Sequence, residues 1–233
     1  MSEWIAGEPP DAVRIVRDGY DRIGEGYLEW SRDVVRDDPK ERYLSRIVEE
    51  VDAGGRVLDL GCGPGEPVLR ALSARYRAVG CDVSAVQLRI ARERCPATPL
   101  VQADLGHWPF REDSFDAIVA LFVLLHMPAG DHPAAIARIA SSLRPGGRLY
   151  LSTGTGGSPG VERGWLGVPM YFGGVEAETT MRLVAEAGLD VESFEVIEQT
   201  EDEEPLPFMW LVASRSRPRP GAERPSPADR LVE

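Results

Sequence analysis

Val57-Leu-Asp-Leu-Gly-Cys-Gly-Pro-Gly65 decides how this chain folds. Residues 57–60 make an apolar run of strand length, and the glycines after it let the backbone turn sharply and approach a ligand before a helix opens. In sheets of parallel strands, ligands sit beyond the carboxyl ends of the strands, so this loop is the first place to expect one. The dinucleotide spacing G-x-G-x-x-G puts its third glycine where this chain has Glu66, an anion facing the would-be pyrophosphate. Downstream the pairing of apolar run and helical stretch repeats. Strands are predicted at residues 56–61, 78–83, 99–104, 115–121 and 147–153, and helices at 66–75, 84–93 and 132–143. That alternation predicts an α/β three-layer sandwich, with a parallel sheet between two helical layers. A helix over 176–187, capped by Gly188, leads to two longer strands at 189–199 and 207–214. The acidic turn 201–204 separates them, so they should pair as a hairpin.

Two segments of other character flank this alternating core, residues 53–214, and a third interrupts it. Residues 1–52 form an arm with helices predicted near 10–18, 20–35 and 39–51, covering the core rather than building it. Residues 154–174 are rich in glycine and proline and read as an irregular substrate loop. Residues 215–233 lack an apolar pattern and read as a disordered tail.

The 233 residues suit one domain with a sizeable core. A net charge of -12 opposes binding to polyanions, so no nucleic-acid partner is expected. There is no apolar run long enough for a bilayer and no basic-then-apolar leader, which predicts a cytoplasmic protein with no membrane partner. Cys62, Cys81 and Cys95 read as reduced thiols. The oligomeric state is left open.

Two acids define what the glycine loop binds. Asp82 ends the second strand, where a carboxylate takes ribose hydroxyls in nucleoside sites, and Asp104 ends the third, where it can accept from an adenine amine. A sugar acceptor, a base acceptor and a glycine loop without phosphate chemistry describe an adenosine carrying an amino-acid arm, S-adenosylmethionine. Asp59 and Asp82 also suit ordinary strand ends.

The succession VLDLGCGPG (57–65), GCDVS (80–84), QADL (102–105), FDAIVALFVLLHMP (115–128) and LRPGGRLYLST (143–153) resembles the class I, Rossmann-like S-adenosylmethionine methyltransferases that tailor small molecules and natural products. The resemblance spans Tyr20 to Ser214. It implies a seven-stranded sheet in the order 3-2-1-4-5-7-6, the last strand antiparallel. It also implies that Asp59, Gly61, Cys62 and Gly63 line the methionine end of the cofactor, and that Asp82 holds the ribose. Val83 and Gln87 would pack near the adenine, Asp104 and the Leu105 backbone would hold its edge, and Leu121 would touch the cofactor from the fourth strand. YDRIGEGY (20–27) resembles a Y-D-x-x-A-x-x-Y helix that covers the site in small-molecule members, implying that Tyr20 and Tyr27 form a lid; both also suit core positions. Gly24 replaces the alanine, weakening a helix interior by about 1 kcal/mol, so a mobile cover is expected.

Methyl transfer from a sulfonium is a direct displacement, governed by alignment. His126, after the fourth strand, is the candidate base, and Tyr20 is named both as a catalytic candidate and as a cofactor contact; a loop histidine packed under Pro128 is the plainer reading of His126. Tyr27, Trp30, Trp165, Met170, Tyr171 and Phe172 offer flat apolar surface for an aromatic or heterocyclic acceptor methylated on N, O or C. No metal is expected. The competing readings are a noncatalytic S-adenosylmethionine-binding protein and a nicotinamide dehydrogenase.

Overall fold

The structure is a computed structural model and describes residues 4–217. The N-terminal arm contributes β1 (Trp4–Ala6), α1 (Ala12–Ile23), α2 (Gly26–Asp33) and α3 (Lys40–Glu50). The core begins with β2 (Arg56–Leu60), α4 (Val68–Ser73), β3 (Arg77–Asp82), α5 (Ala85–Arg94), β4 (Leu100–Gln102) and β5 (Phe115–Leu121). It continues through α6 (His132–Ser142) and β6 (Leu143–Gly154) to the pair β7 (Gly160–Trp165) and β8 (Val168–Phe172). The chain closes with α7 (Ala177–Glu186), β9 (Leu189–Glu201) and β10 (Glu204–Arg215).

The main sheet has the order β4-β3-β2-β5-β6-β10-β9. β2 pairs in parallel with β3 and β5, β3 with β4 and β5 with β6, whereas β10 runs antiparallel to both β6 and β9. Numbered within this sheet, that is 3-2-1-4-5-7-6 with one antiparallel strand, as the resemblance implied. Successive residues of a strand face opposite sides, which explains the continuous apolar runs. Leu58, Leu60, Ile118 and Ala120 pack with α6 and α7, while Val57 and Val119 pack with α3 and α4. The carboxyl ends of β2, β3, β4 and β5 therefore open on one edge, with the connecting loops above them.

Five expectations are corrected. The arm is not wholly helical, because β1 pairs with β7 and β7 with β8 in a three-stranded antiparallel sheet. The segment 154–174 is thus a hairpin rather than an irregular loop; its strands are short, and β7 finds its second partner about 155 residues away in sequence. The break between the first two helices falls at Gly24, not near Gly19. Gly24 has φ +56°, a left-handed conformation that ends α1, so it does not soften a helix interior. The hairpin turn is tighter than expected, made by Asp202 and Glu203 with φ +49° and +68°. The expected tail lies outside the described residues from position 218 onward. No helix among the described residues is long and apolar enough to cross a membrane.

Candidate active site

A cavity of about 510 Å³ lies at the carboxyl edge of the sheet. Its floor is Leu60, Gly61 and Gly63 after β2, Cys81, Asp82 and Val83 at the end of β3, Ala103 to His107 after β4, and Leu121 to Val123 after β5. Val13, Val16 and Tyr20 of α1 and Tyr27 of α2 form its roof. The glycines leave room: a side chain at Gly63 would project into open space, and one at Gly61 would strike Val123 Cγ2 at 2.4 Å. Both adopt positive φ, at +49° and +74°, so the turn and the close approach both need glycine.

Three carboxylates surround this floor. Asp82 Oδ2 accepts from the Gly63 amide at 2.8 Å and Oδ1 from the Ser84 amide at 2.9 Å. Burial pushes its carboxyl above the ordinary range against those amides, which hold it down. Each oxygen keeps a further lone pair for a ligand hydroxyl. Asp59 is 3% exposed, behind the glycine loop, and its Oδ2 has no hydrogen-bond partner among the described residues. Burial, with Asp82 nearby, raises its carboxyl to about 8. A cation placed against Oδ2 would stabilise its ionised form. Asp104 faces the cavity, and its oxygens accept from the His107 backbone amide at 2.8 Å and from Nδ1 of the His107 ring at 2.9 Å. Burial pushes it up, but the His107 and Gly106 hydrogen bonds outweigh that and leave it below its ordinary value.

Glu66 does not face the cavity: it pairs with Arg70 at 2.6 Å and with Arg32. The expectation that it repels a pyrophosphate is therefore withdrawn, because Glu66 is engaged on the outer side of the loop. Cys62 is buried and does not line the cavity; burial raises its thiol well above the usual range, so it is inert.

The arm is tied down by contacts that sequence reading missed. Asp21 Oδ1 accepts from Ser84 Oγ at 2.6 Å and from the Val86 amide at 3.1 Å, at the start of α5. Gln87 Nε2 donates to the carbonyls of Tyr20 and Gly24, at 3.2 and 2.8 Å, while its Oε1 stays unpartnered beside the cavity. The aspartate of YDRIGEGY was the available signal, but its partner lies 63 residues away. Gln87 therefore anchors the end of α1 as well as lining the cavity.

Tyr20 and His126 both line the cavity, and the Tyr20 hydroxyl lies 2.9 Å from His126 Nε2. His126 Nδ1 lies 2.8 Å from the carbonyl oxygen of Tyr171. Around them Tyr27, Trp30, Trp165 and Phe172 form a layer of edge-to-face and tilted rings, with Tyr20 and Tyr27 centroids 5.4 Å apart. Of the six aromatic and thioether candidates for acceptor contact, only Tyr27 lines the cavity. Met170 and Tyr171 are fully buried beneath α1, where the Met170 side chain fills the space that Gly19 leaves. Among the described residues, no group of three or more His, Cys, Asp or Glu is arranged to hold a metal ion.

Residues 57–147 match a family model described as a methyltransferase domain. Over 123 residues the chain is 38% identical to the methyltransferase GfsG of Streptomyces halstedii, covering 48% of this chain and 43% of that one. It is also 38% identical, over 117 residues, to the trans-aconitate 2-methyltransferase of Paracidovorax citrulli, again 48% and 43% of the two chains. The chain thus spans less than half the length of these relatives. In fold it is similar to the Burkholderia thailandensis 1,6-didemethyltoxoflavin-N1-methyltransferase, solved with its acceptor and S-adenosylhomocysteine: TM-score 0.69, 16% identity, 93% of this chain and 96% of that one. Residues 57–147 are thus similar to a methyltransferase domain, and they lie in a sheet with the strand order of the class I, Rossmann-like methyltransferase fold. The cofactor of that class is S-adenosylmethionine, and the site fits it: the half-buried Asp82 and open glycine backbone line the cavity, with the unpaired, buried Asp59 carboxyl behind the glycine loop.

Proposed function

We propose that this protein transfers the methyl group of S-adenosylmethionine to an N, O or C atom of a small aromatic or heterocyclic metabolite by direct displacement. The observation that carries the reading is Asp82, a half-buried carboxylate in the cavity wall, held by the Gly63 and Ser84 amides with lone pairs left to accept from a ribose. Asp59 would take the ammonium of the cofactor's amino-acid arm. Val83 and Leu105 would flank the adenine, Asp104 and the Gln87 Oε1 would accept from it, and Leu121 would pack alongside. When bound, the cofactor supplies an electrophilic methyl on a sulfonium. The chain's part is to align an acceptor under Tyr20 and Tyr27, exclude water with α1, and receive a proton where the acceptor must lose one.

The relatives bearing the names of small-molecule methyltransferases support a small acceptor. Parallel calorimetric titrations with S-adenosylhomocysteine and NAD test the reading. S-adenosylhomocysteine should bind at one site and NAD should not. Saturable NAD binding with no S-adenosylhomocysteine binding would overturn it. If S-adenosylhomocysteine binds but a broad acceptor panel gives no product, the noncatalytic alternative takes its place.

A further inference from the structure

Both ring nitrogens of His126 are engaged, and their partners fix which one carries hydrogen. The Tyr171 carbonyl oxygen, 2.8 Å from Nδ1, only accepts, so Nδ1 is protonated and Nε2 of the neutral ring is the acceptor. The Tyr20 hydroxyl, 2.9 Å away, therefore donates its proton to Nε2. This leaves the imidazole no lone pair for a ligand, whereas the Tyr20 oxygen keeps its own.

Resting on the methyl-transfer reading above, we infer that the acceptor is an uncharged hydroxyl compound, an alcohol, phenol or enol, whose proton passes to the Tyr20 oxygen while Tyr20 passes its proton to His126 Nε2. Tyr20 is then the catalytic residue at the acceptor, and His126 the terminal base behind it. As the acceptor oxygen bonds to the methyl carbon, the S–CH3 pair returns to sulfur. The acceptor O–H breaks, and the displaced proton ends on the imidazole. The sulfonium's positive charge reappears as imidazolium, so the enclosed cavity carries the same net charge before and after, and the transfer needs no compensating ion. A carboxylate acceptor has no such proton, and the relay would be idle.

Base strength agrees. Burial lowers His126 to about 4, against the Tyr171 carbonyl, which raises it. So weak a base leaves a resting hydroxyl alone, stays unprotonated at neutral pH, and still accepts from an oxygen made strongly acidic by alkylation. The neighbours packed around the pair are uncharged: Tyr27 from α2, and Trp165 and Phe172 from β7 and β8. Burial keeps the Tyr20 phenol protonated, and the charges of Asp82 and Glu201 act in the same direction.

The test uses the full chain with S-adenosylmethionine and three probe acceptors, naphthol, naphthalenethiol and naphthoic acid, following S-adenosylhomocysteine release. Naphthol should be methylated, and Tyr20→Phe and His126→Gln should each lower that rate about 100-fold. The thiol, which arrives as thiolate, should lose far less of its rate than naphthol does in both variants. Nitrogen-15 NMR of the S-adenosylhomocysteine complex should show His126 neutral, with hydrogen on Nδ1, at pH 7. Equal losses on naphthol and thiol, an unchanged naphthol rate in Tyr20→Phe, hydrogen on Nε2, or transfer to naphthoic acid or to none of the probes would each overturn the inference. Failure to bind S-adenosylhomocysteine would instead remove the reading beneath it.

Discussion

Asp59, buried, and His126, half-buried in the cavity wall, are titratable groups shifted in directions that can be checked separately. Asp59 is raised to about 8, so the folded protein holds a proton that the unfolded chain releases above about 4. Its contribution therefore falls as pH rises from about 4 to 8, by up to roughly 5 kcal/mol. Asp59→Asn should stabilise the cofactor-free protein in denaturant melts at pH 8, with little change at pH 4, while weakening S-adenosylhomocysteine binding. Unchanged pH 8 stability would mean that Asp59 is solvated. His126 has the opposite sign. Its folded value near 4 lies below the unfolded 6.5, so stability is lost as pH falls between these values, by up to about 3 kcal/mol. His126→Gln should flatten that acid limb. At Asp82, substitution by Asn keeps an acceptor for one amide but removes the charge, and should weaken S-adenosylhomocysteine by roughly 1.5 to 3 kcal/mol in calorimetry.

The element that decides access to the cavity is α1, and what holds it is a corner of the core. Asp82, Ser84 and Asp21 form a continuous chain of hydrogen bonds from the cavity floor to the roof, and Gln87 adds two more at the end of α1. Asp21→Ala removes the acceptor for Ser84 Oγ and the Val86 amide, so amides of α1 should exchange faster in hydrogen–deuterium measurements while those of β2 and β5 stay protected. Equal exchange in the wild type and the variant would show that packing of α1 on β8 holds the roof unaided. Asp21 sits in plain view within YDRIGEGY, and the covering role of that helix was legible from the motif. Its anchoring was not, because Ser84 and Gln87 acquire that role only when α5 starts beneath α1. Gly24 was misjudged for a related reason: a glycine inside a polar, periodic stretch reads as a weak helix interior until its φ is known.

At the scale of the whole molecule, the last strand in sequence is among the most deeply buried. β10 enters between β6 and β9, with Met209, Trp210, Leu211 and Val212 fully enclosed by the two helical layers. Leu211→Ala should cost about 2 to 5 kcal/mol in chemical denaturation, as much as a substitution in the central strands. The strand order, the carboxyl-edge position of the site and its floor were all written locally. Apolar runs of strand length, glycines at the turn and acids at strand ends each act within a few residues of where they stand, and parallel pairing leaves little freedom in how they assemble. The roof was a matter of tertiary structure. β1 had to meet β7, Asp21 had to meet Ser84, and Tyr20 had to meet His126 across 106 residues of chain. Hydrogen bonds between distant segments leave no periodicity to read, so the pairing that sets the proton's path exists only once the chain has closed over its own sheet.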